Sequence, residues 1–198
     1  MANAIIHTMV PLLVLALLCP FGSAGPDYGA LFAHGISFGE FLERAHSRRD
    51  EWRTRYRDAV VAPEVIEKAR ALHERRRLLV VAEDWCSDSA QTVPYLAKLV
   101  DAAPGTLDMR IVNSRIGRPV MDAHPTPDGR GATPTVAVTT ADGALLGAWS
   151  ERPAELETWA IEQRKGLSQR ELHARLAKWY ADDAGRSALE EITTILAR

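Results

Sequence analysis

The stretch that decides the fold is Leu78-Leu79-Val80-Val81-Ala82-Glu83-Asp84-Trp85-Cys86-Ser87-Asp88-Ser89. Its first five residues are apolar without interruption and of strand length, the pattern of a parallel strand buried on both faces. Polar residues and a tryptophan end the run, and a different period follows. Val93, Leu96, Ala97 and Val100 share one face at helical spacing, so a helix follows the strand directly. The junction sets Cys86 at the start of that helix, where a buried strand ends at the carboxyl edge of its sheet.

Toward the C-terminus, Pro104-Gly105 closes the helix, and Leu107, Met109 and Ile111 alternate with Asp108 and Arg110 as a second strand. A short helix over residues 118–123 and a Pro/Gly-rich loop over 124–131 come next. Residues 135–139 and 144–149 are strands joined through Asp142-Gly143, a hairpin signal because glycine accepts positive φ. Pro153 opens a helix carrying Leu156, Trp159 and Ala160, and helices over 168–181 and 186–197 complete the chain. A strand, a crossover helix and a parallel strand, then a hairpin and a helix, predict an α/β fold: a mixed central sheet with helices on both faces.

Toward the N-terminus, Pro63 suits the first turn of a helix with Val65, Ile66, Ala69 and Leu72 on its apolar face. Before it, Ser37 and Glu40 form a capping box, and Phe38, Phe41, Leu42, Ala45, Trp52 and Tyr56 recur as one further helix. A glycine-rich stretch over 22–39 leads into it. The basic runs Arg48-Arg49 and Arg75-Arg76-Arg77 lie among acids and are expected on solvated faces of helical segments. The resulting division is 1–24, a signal peptide or membrane anchor; 36–76, a helical extension; 77–166, the α/β core; and 167–198, the C-terminal helices.

With 198 residues, 46% of them hydrophobic and 25% charged, the chain suits one ordinary domain with additions. A net charge of -2 provides no global basic field to hold nucleic acid. Residues 11–21 are almost wholly apolar and Gly22-Ser23-Ala24 are small, the outline of an export leader. The apolar run is shorter than the roughly 20 residues of a membrane span, and no Lys or Arg precedes it. The expected location is extracytoplasmic (periplasmic, secreted or membrane-anchored), with a cytoplasmic domain behind an upstream start codon as the alternative. Cys19 and Cys86 are the two cysteines, so loss of the leader leaves Cys86 without an internal partner and without a cysteine-built metal site. Asp122, His124 and Asp128 share one loop and are expected to be solvated, so no metal is assigned.

Trp85-Cys86-Ser87-Asp88-Ser89, set between a buried strand and a helix, resembles the active-site turn of thioredoxins. Pro94 matches the proline that kinks the helix of that family. Arg130-Gly131-Ala132-Thr133-Pro134-Thr135 resembles the loop whose proline is cis and faces the reactive sulfur. Residues 80–86 are similar to a bacterial branch with an Asp-Trp-Cys-x-Asp turn, and the resemblance covers about residues 36–197. It implies a thioredoxin-like fold with extra N-terminal and C-terminal helices. It also implies Cys86 as nucleophile, with Trp85, Thr133 and Pro134 as the substrate-binding edge and Asp84, Asp88 and Ser89 in support. The implied partner is a protein or small-molecule thiol or disulfide, with no cofactor beyond glutathione as an external thiol.

The chemistry has its own footing. Unpaired N–H groups at a helix start favour a thiolate, and this one is expected to face solvent. A cis Pro134 would leave the Thr133 backbone free to pair with an extended ligand. Three residues depart from the family pattern. Ser89 stands where a resolving cysteine is usual, so a mixed disulfide on Cys86 needs an outside thiol to release it. Val80 stands in place of a buried acid, leaving Glu83 or Asp84 as the nearest carboxylates. Asp88 sets a negative charge beside the sulfur, against the helix dipole.

Plainer readings stand beside these: Asp88 and Gln91 as a capping box, Ser89 as a first-turn residue, Trp85 as core, Pro134 as a trans proline, Cys86 as an inert buried thiol. The functional expectation is therefore monothiol (Cys-x-x-Ser) thiol-disulfide chemistry. The alternative is a non-catalytic thioredoxin-fold binding or scaffold protein, and whether the chain is an enzyme stays open between them. A thiol peroxidase is disfavoured, because the Pro/Thr setting of a peroxide-reducing cysteine does not precede Cys86.

Overall fold

The computed structural model describes residues 25–198; the expected leader and Cys19 lie outside the described residues. The elements run α1 (Tyr28–His34), α2 (Phe38–Arg44), α3 (Arg49–Asp58), α4 (Pro63–Arg70), β1 (Arg76–Val81), α5 (Ser87–Ala102), β2 (Leu107–Val112), α6 (Arg118–Ala123), β3 (Thr135–Thr140), β4 (Leu145–Ser150), α7 (Ala154–Gln163), α8 (Gln169–Asp183) and α9 (Arg186–Leu196).

Among the described residues one sheet forms, in the order β2-β1-β3-β4. β1 pairs with β2 in parallel, from Arg76 opposite Leu107 to Val81 opposite Val112, with α5 as the crossover. β3 runs antiparallel to β1 and joins β4 through a hairpin in which Gly143 has φ +95, a conformation that favours glycine. The mixed sheet expected from the order of segments is therefore the observed one.

The two-residue period of the strands sorts the core into two faces. Leu78, Val80, Leu107, Met109, Ile111, Val136 and Val138 face one cluster, built with Phe41, Trp52, Val65 and the apolar sides of α5 and α9. Leu79, Val81, Val112 and Ala137 face the other, covered by Phe32 of α1 with Val120 and Met121 of α6. Helices on both sides explain why β1 is apolar at each of its last four positions. A third cluster, Leu156, Ala160, Leu176 and Tyr180, packs α7 against α8.

The N-terminal part differs from the sequence reading. The glycine-rich stretch contains α1, whose N-cap Asp27 accepts a hydrogen bond from the Ala30 amide at 2.8 Å. The single helix expected from Phe38 to Tyr56 is two. The Ser37–Glu40 capping box starts α2 as expected, but Arg48, at φ +49, turns the chain before α3. The apolar spacing carries across the break because Phe41 and Trp52 meet edge to face, their ring centroids 4.8 Å apart.

The run Arg75-Arg76-Arg77 is not helical: Arg76 and Arg77 begin β1, and Arg77 lies over the Phe32 ring at 5.0 Å. No helix among the described residues is long and apolar enough to cross a membrane.

Candidate functional site

β1 ends at Val81, and the turn Glu83-Asp84-Trp85 carries the chain to Cys86, the N-cap of α5. The cap is the sulfur itself, which accepts from the Ser89 amide at 3.4 Å. The same sulfur donates to the carbonyl of Thr133 at 3.2 Å. Thr133-Pro134 is a cis peptide bond. Cys86, Thr133 and Pro134, distant in sequence, thus meet as the resemblance implied.

Their contact also corrects one expectation. Cys86 is not turned out to solvent: the residue is 8% exposed. The Thr133 carbonyl takes the thiol with one of its two lone pairs. Both follow from placing the sulfur between a helix start and the strand-leading loop, where each neighbour supplies one polar group to it.

The acidic residues before Cys86 hold the turn rather than the sulfur. Asp84 Oδ2 accepts from the amides of His46 and Ser47 at 2.7 and 2.8 Å, pinning the link between α2 and α3. The Trp52 indole donates to the Asp84 carbonyl at 3.0 Å, and Arg48 Nε donates to the Trp85 carbonyl at 3.1 Å. Glu83 Oε1 accepts from the amide and hydroxyl of Ser114 at 2.7 and 2.6 Å. The turn is therefore anchored on both flanks by charge-assisted bonds, which are stronger than neutral ones. Trp85 is 60% exposed and is not core, leaving an aromatic surface next to the thiol. Val80 is buried in the apolar cluster and brings no acid toward the sulfur.

Asp88 does not form a capping box with Gln91. Its carboxylate faces away into a buried polar cluster, where Arg152 donates through Nε at 3.0 Å and Nη2 at 2.8 Å, and the Tyr180 hydroxyl adds 2.8 Å. The negative charge expected to oppose the helix dipole is thus answered by a guanidinium. Arg152 also holds Glu157 at 2.6 Å and Glu151 at 2.7 Å, and Arg130 bridges Glu151 and Glu157 from the other side.

Burial works against charge on Arg152, but the pull of Asp88 and Glu151 and the bond to Asp88 outweigh it and keep the guanidinium protonated well above its usual range. Burial, with Asp88 beside it, raises the Tyr180 hydroxyl well above the ordinary tyrosine range. Burial likewise raises the Glu151 carboxyl against the opposing pull of Arg152.

Arg152, Tyr180, Glu151 and Glu157 went unseen in the sequence, and Arg130 enters its reading only as the start of the Pro134 loop. The available signal was Glu151-Arg152 at the end of a strand and directly before Pro153, where Glu151 adopts φ +62, rare for a residue with a side chain. Nothing in the spacing names Asp88 as the partner.

Ser89 is fully buried, and its hydroxyl has no hydrogen-bond partner. Pro94 lies inside α5. In the loop expected to be solvated, Asp128 instead pairs with Arg130 and Arg164 at 2.8 and 2.7 Å. His124 Nε2 shares a 2.7 Å bond with the Tyr28 hydroxyl. No group of three or more His, Cys, Asp or Glu side chains among the described residues is arranged to hold a metal ion. A cavity of about 1000 Å³ lies between α4, α9 and the start of β1, at the opposite end of the sheet from Cys86.

Residues 35–165 match a family model described as Thioredoxin, which spans the extension, the Cys86 turn, the Pro134 loop and the sheet. The chain belongs to the thioredoxin family. None of the curated proteins matches it. Among solved structures, this thioredoxin-family chain is similar to a protein of unknown function from Pseudomonas aeruginosa at 20% identity and a TM-score of 0.68, covering 86% of this chain and 97% of that one. It is also similar to an HIV epitope-scaffold at 19% identity and a TM-score of 0.66, covering 86% and 98%. At these identities the likeness speaks for the fold alone.

Proposed function

We propose that this thioredoxin-family protein works as a monothiol in thiol-disulfide chemistry, with Cys86 as nucleophile and Trp85, Thr133 and Pro134 as the surface against which a substrate lies. The observation that carries the reading is the sulfur's position. It caps α5, takes the Ser89 amide, and sits against the Thr133 carbonyl beside an exposed tryptophan. A helix start offers N–H donors to a thiolate, the form that attacks a disulfide.

In this reading the Cys86 thiolate attacks one sulfur of a disulfide, a Cys86 mixed disulfide forms, and the other half leaves as a thiolate. Ser89 has no thiol to expel the bound half, so an external thiol such as glutathione attacks the mixed disulfide and returns Cys86 to its reduced form. The Asp-Trp-Cys-x-Asp turn supports kinship with the bacterial branch it resembles. The apolar leader supports an extracytoplasmic site of action, where disulfides persist.

Oxidised glutathione added to the reduced protein should yield one mixed disulfide, mapped to Cys86 by peptide mass and absent in Cys86→Ser. No adduct at Cys86 under conditions that modify a free thiol would overturn the enzymatic reading.

One observation favours a second reading, a thioredoxin-fold binding or scaffold protein without turnover: Cys86 is 8% exposed and its sulfur already has two partners. Full function of Cys86→Ala in the cell would decide for that reading.

A further inference from the structure

The thiol site has two arms far apart in sequence, the Cys86 turn and the loop that ends in Thr133-Pro134. They meet where the sulfur donates to the Thr133 carbonyl at 3.2 Å. One residue outside both arms holds the loop twice. The Glu151 amide donates to the Pro134 carbonyl at 2.7 Å. The Glu151 carboxylate accepts from Arg130 Nη2, also at 2.7 Å. Gly131, Ala132 and Thr133 are the residues between the two grips. Ala132 is tied down as well, its carbonyl taking the Thr135 hydroxyl at 2.7 Å.

Glu151 is 6% exposed and keeps φ +62, a region that residues with side chains rarely occupy. Such an outlier persists where its surroundings over-determine it, and here its amide and its carboxylate are both engaged on the loop. The arginine end is equally determined. Besides Glu151, Arg130 reaches Glu157 at 3.1 Å and Asp128 at 2.8 Å. Its amide donates to the Thr126 hydroxyl at 3.2 Å, and its carbonyl accepts from the Thr126 amide at 2.9 Å. A planar guanidinium serves several carboxylates at once, which an ammonium does not do in a fixed geometry.

We infer that the Arg130–Glu151 pair is a positioning device that keeps the Thr133 carbonyl on the Cys86 thiol and so restrains its ionisation. The inference rests on the monothiol reading and adds to it how the reactive sulfur is held at rest. A thiol that donates to a carbonyl is favoured in its neutral form. The thiolate has no proton to give and faces the negative end of the C=O dipole. Holding the carbonyl in place therefore opposes the Ser89 amide at the helix start, which favours the thiolate. Freeing the loop removes the first effect and leaves the second.

The direction of the change separates this from plain electrostatics. Arg130 is a cation, and taking a cation away from a thiolate makes ionisation harder. Loss of the grip makes it easier. The other charged groups about the turn stay in place: Glu83 on Ser114, Asp84 on the His46 and Ser47 amides, Asp88 on Arg152, and Arg48 on the Trp85 carbonyl.

The experiment is the rate of alkylation by iodoacetamide against pH, mapped to Cys86 by peptide mass. The thiolate is the reacting form, so the midpoint of the profile reports ionisation and its alkaline plateau reports access. Arg130→Gln should move the midpoint to lower pH, raising the rate on the rising limb about threefold, the scale of one weak hydrogen bond. A midpoint that stays or moves to higher pH overturns the inference. A higher plateau with an unmoved midpoint also overturns it, because that is loosened structure alone.

Arg130→Lys keeps the charge without the fork and should move the midpoint the same way by less; it decides if Arg130→Gln fails to fold. Arg164→Gln removes an equal charge from Asp128 and leaves the Glu151 grip intact, so its midpoint should not fall. A fall there assigns the effect to the charge cluster as a whole and overturns the pair. A lowered midpoint in Arg130→Gln, with no mixed disulfide from oxidised glutathione, keeps the pair and overturns the monothiol reading. A mixed disulfide with an unmoved midpoint does the reverse.

Discussion

The guanidinium of Arg152 forks onto the carboxylate of Asp88 beneath the first turn of α5, two residues from Cys86, with contacts of 3.0 and 2.8 Å and both side chains nearly sealed from solvent. This pair ties the end of the sheet to the helix that carries the thiol. It also explains how an aspartate is tolerated beside the sulfur: its charge belongs to a closed cluster with Arg152, Glu157, Glu151 and Arg130. Such clusters contribute more to holding one arrangement than to net stability, but breaking one leaves buried charge uncompensated.

Arg152→Met should therefore be among the most damaging substitutions outside the apolar core. It leaves Asp88, Glu151 and Glu157 each short of a cation, at a cost of about 3–5 kcal/mol. Urea unfolding measures it. Adding Asp88→Asn should recover part of the loss, and strictly additive effects would show that the two residues are not coupled.

Two tyrosines set the alkaline limit. Tyr56 donates to Asp101, and that bond, with burial and the aspartate charge, pushes its hydroxyl up to about 12; burial and Asp88 hold Tyr180 higher than the ordinary value as well. A hydroxyl raised in the folded state binds its proton more tightly there than in the unfolded chain. The stabilisation is fully present below pH 10 and lost as pH climbs through the folded value. Stability should thus decline above pH 10, and Tyr56→Phe should flatten the part of that decline ending near 12. An ultraviolet phenolate titration of the two proteins checks it, and a Tyr56 step near 10 would refute it.

Asp84→Ala should loosen the turn before Cys86 without unfolding the domain. The two amides that the carboxylate accepts, His46 and Ser47, lose a charge-assisted partner worth about 1.5–3 kcal/mol. Hydrogen exchange at those two amides should rise about tenfold or more, while the β1 amides stay protected. Unchanged exchange at residues 46 and 47 would remove Asp84 from this role.

Gly185 should resist substitution. It holds φ +76 before α9, and a Cβ there would lie 2.4 Å from the Tyr95 ring. Gly185→Ala therefore meets both an unfavourable backbone region and a ring of α5, and should destabilise by about 1–3 kcal/mol in thermal or urea unfolding. Gly105→Ala, where a Cβ meets nothing within 4 Å, is the matched control.

Much of the architecture is legible in the chain because its signals are local. The apolar run before Cys86, the alternation over 107–112, the Asp142-Gly143 turn, Pro63 at a helix start and the Ser37–Glu40 box each act within a few residues, through periodicity or a single short-range bond. The same logic fails at Phe38 to Tyr56, because apolar spacing reports which residues are buried together and not whether the backbone between them is continuous. Arg48 breaks that helix while Phe41 and Trp52 still meet.

The sequence by itself determined the order of elements from β1 onward and the mixed sheet, and its resemblance to thioredoxins implied the meeting of Cys86 with the Thr133-Pro134 loop. Only the tertiary structure decided that the sulfur is shielded, that Asp84 grips the α2–α3 link, and that Asp88 belongs to Arg152, 64 residues away. The reason is physical. Secondary structure is written in spacing along the chain, whereas the partner of a charge and the burial of a thiol depend on which distant side chains the packed helices bring within about 3 Å.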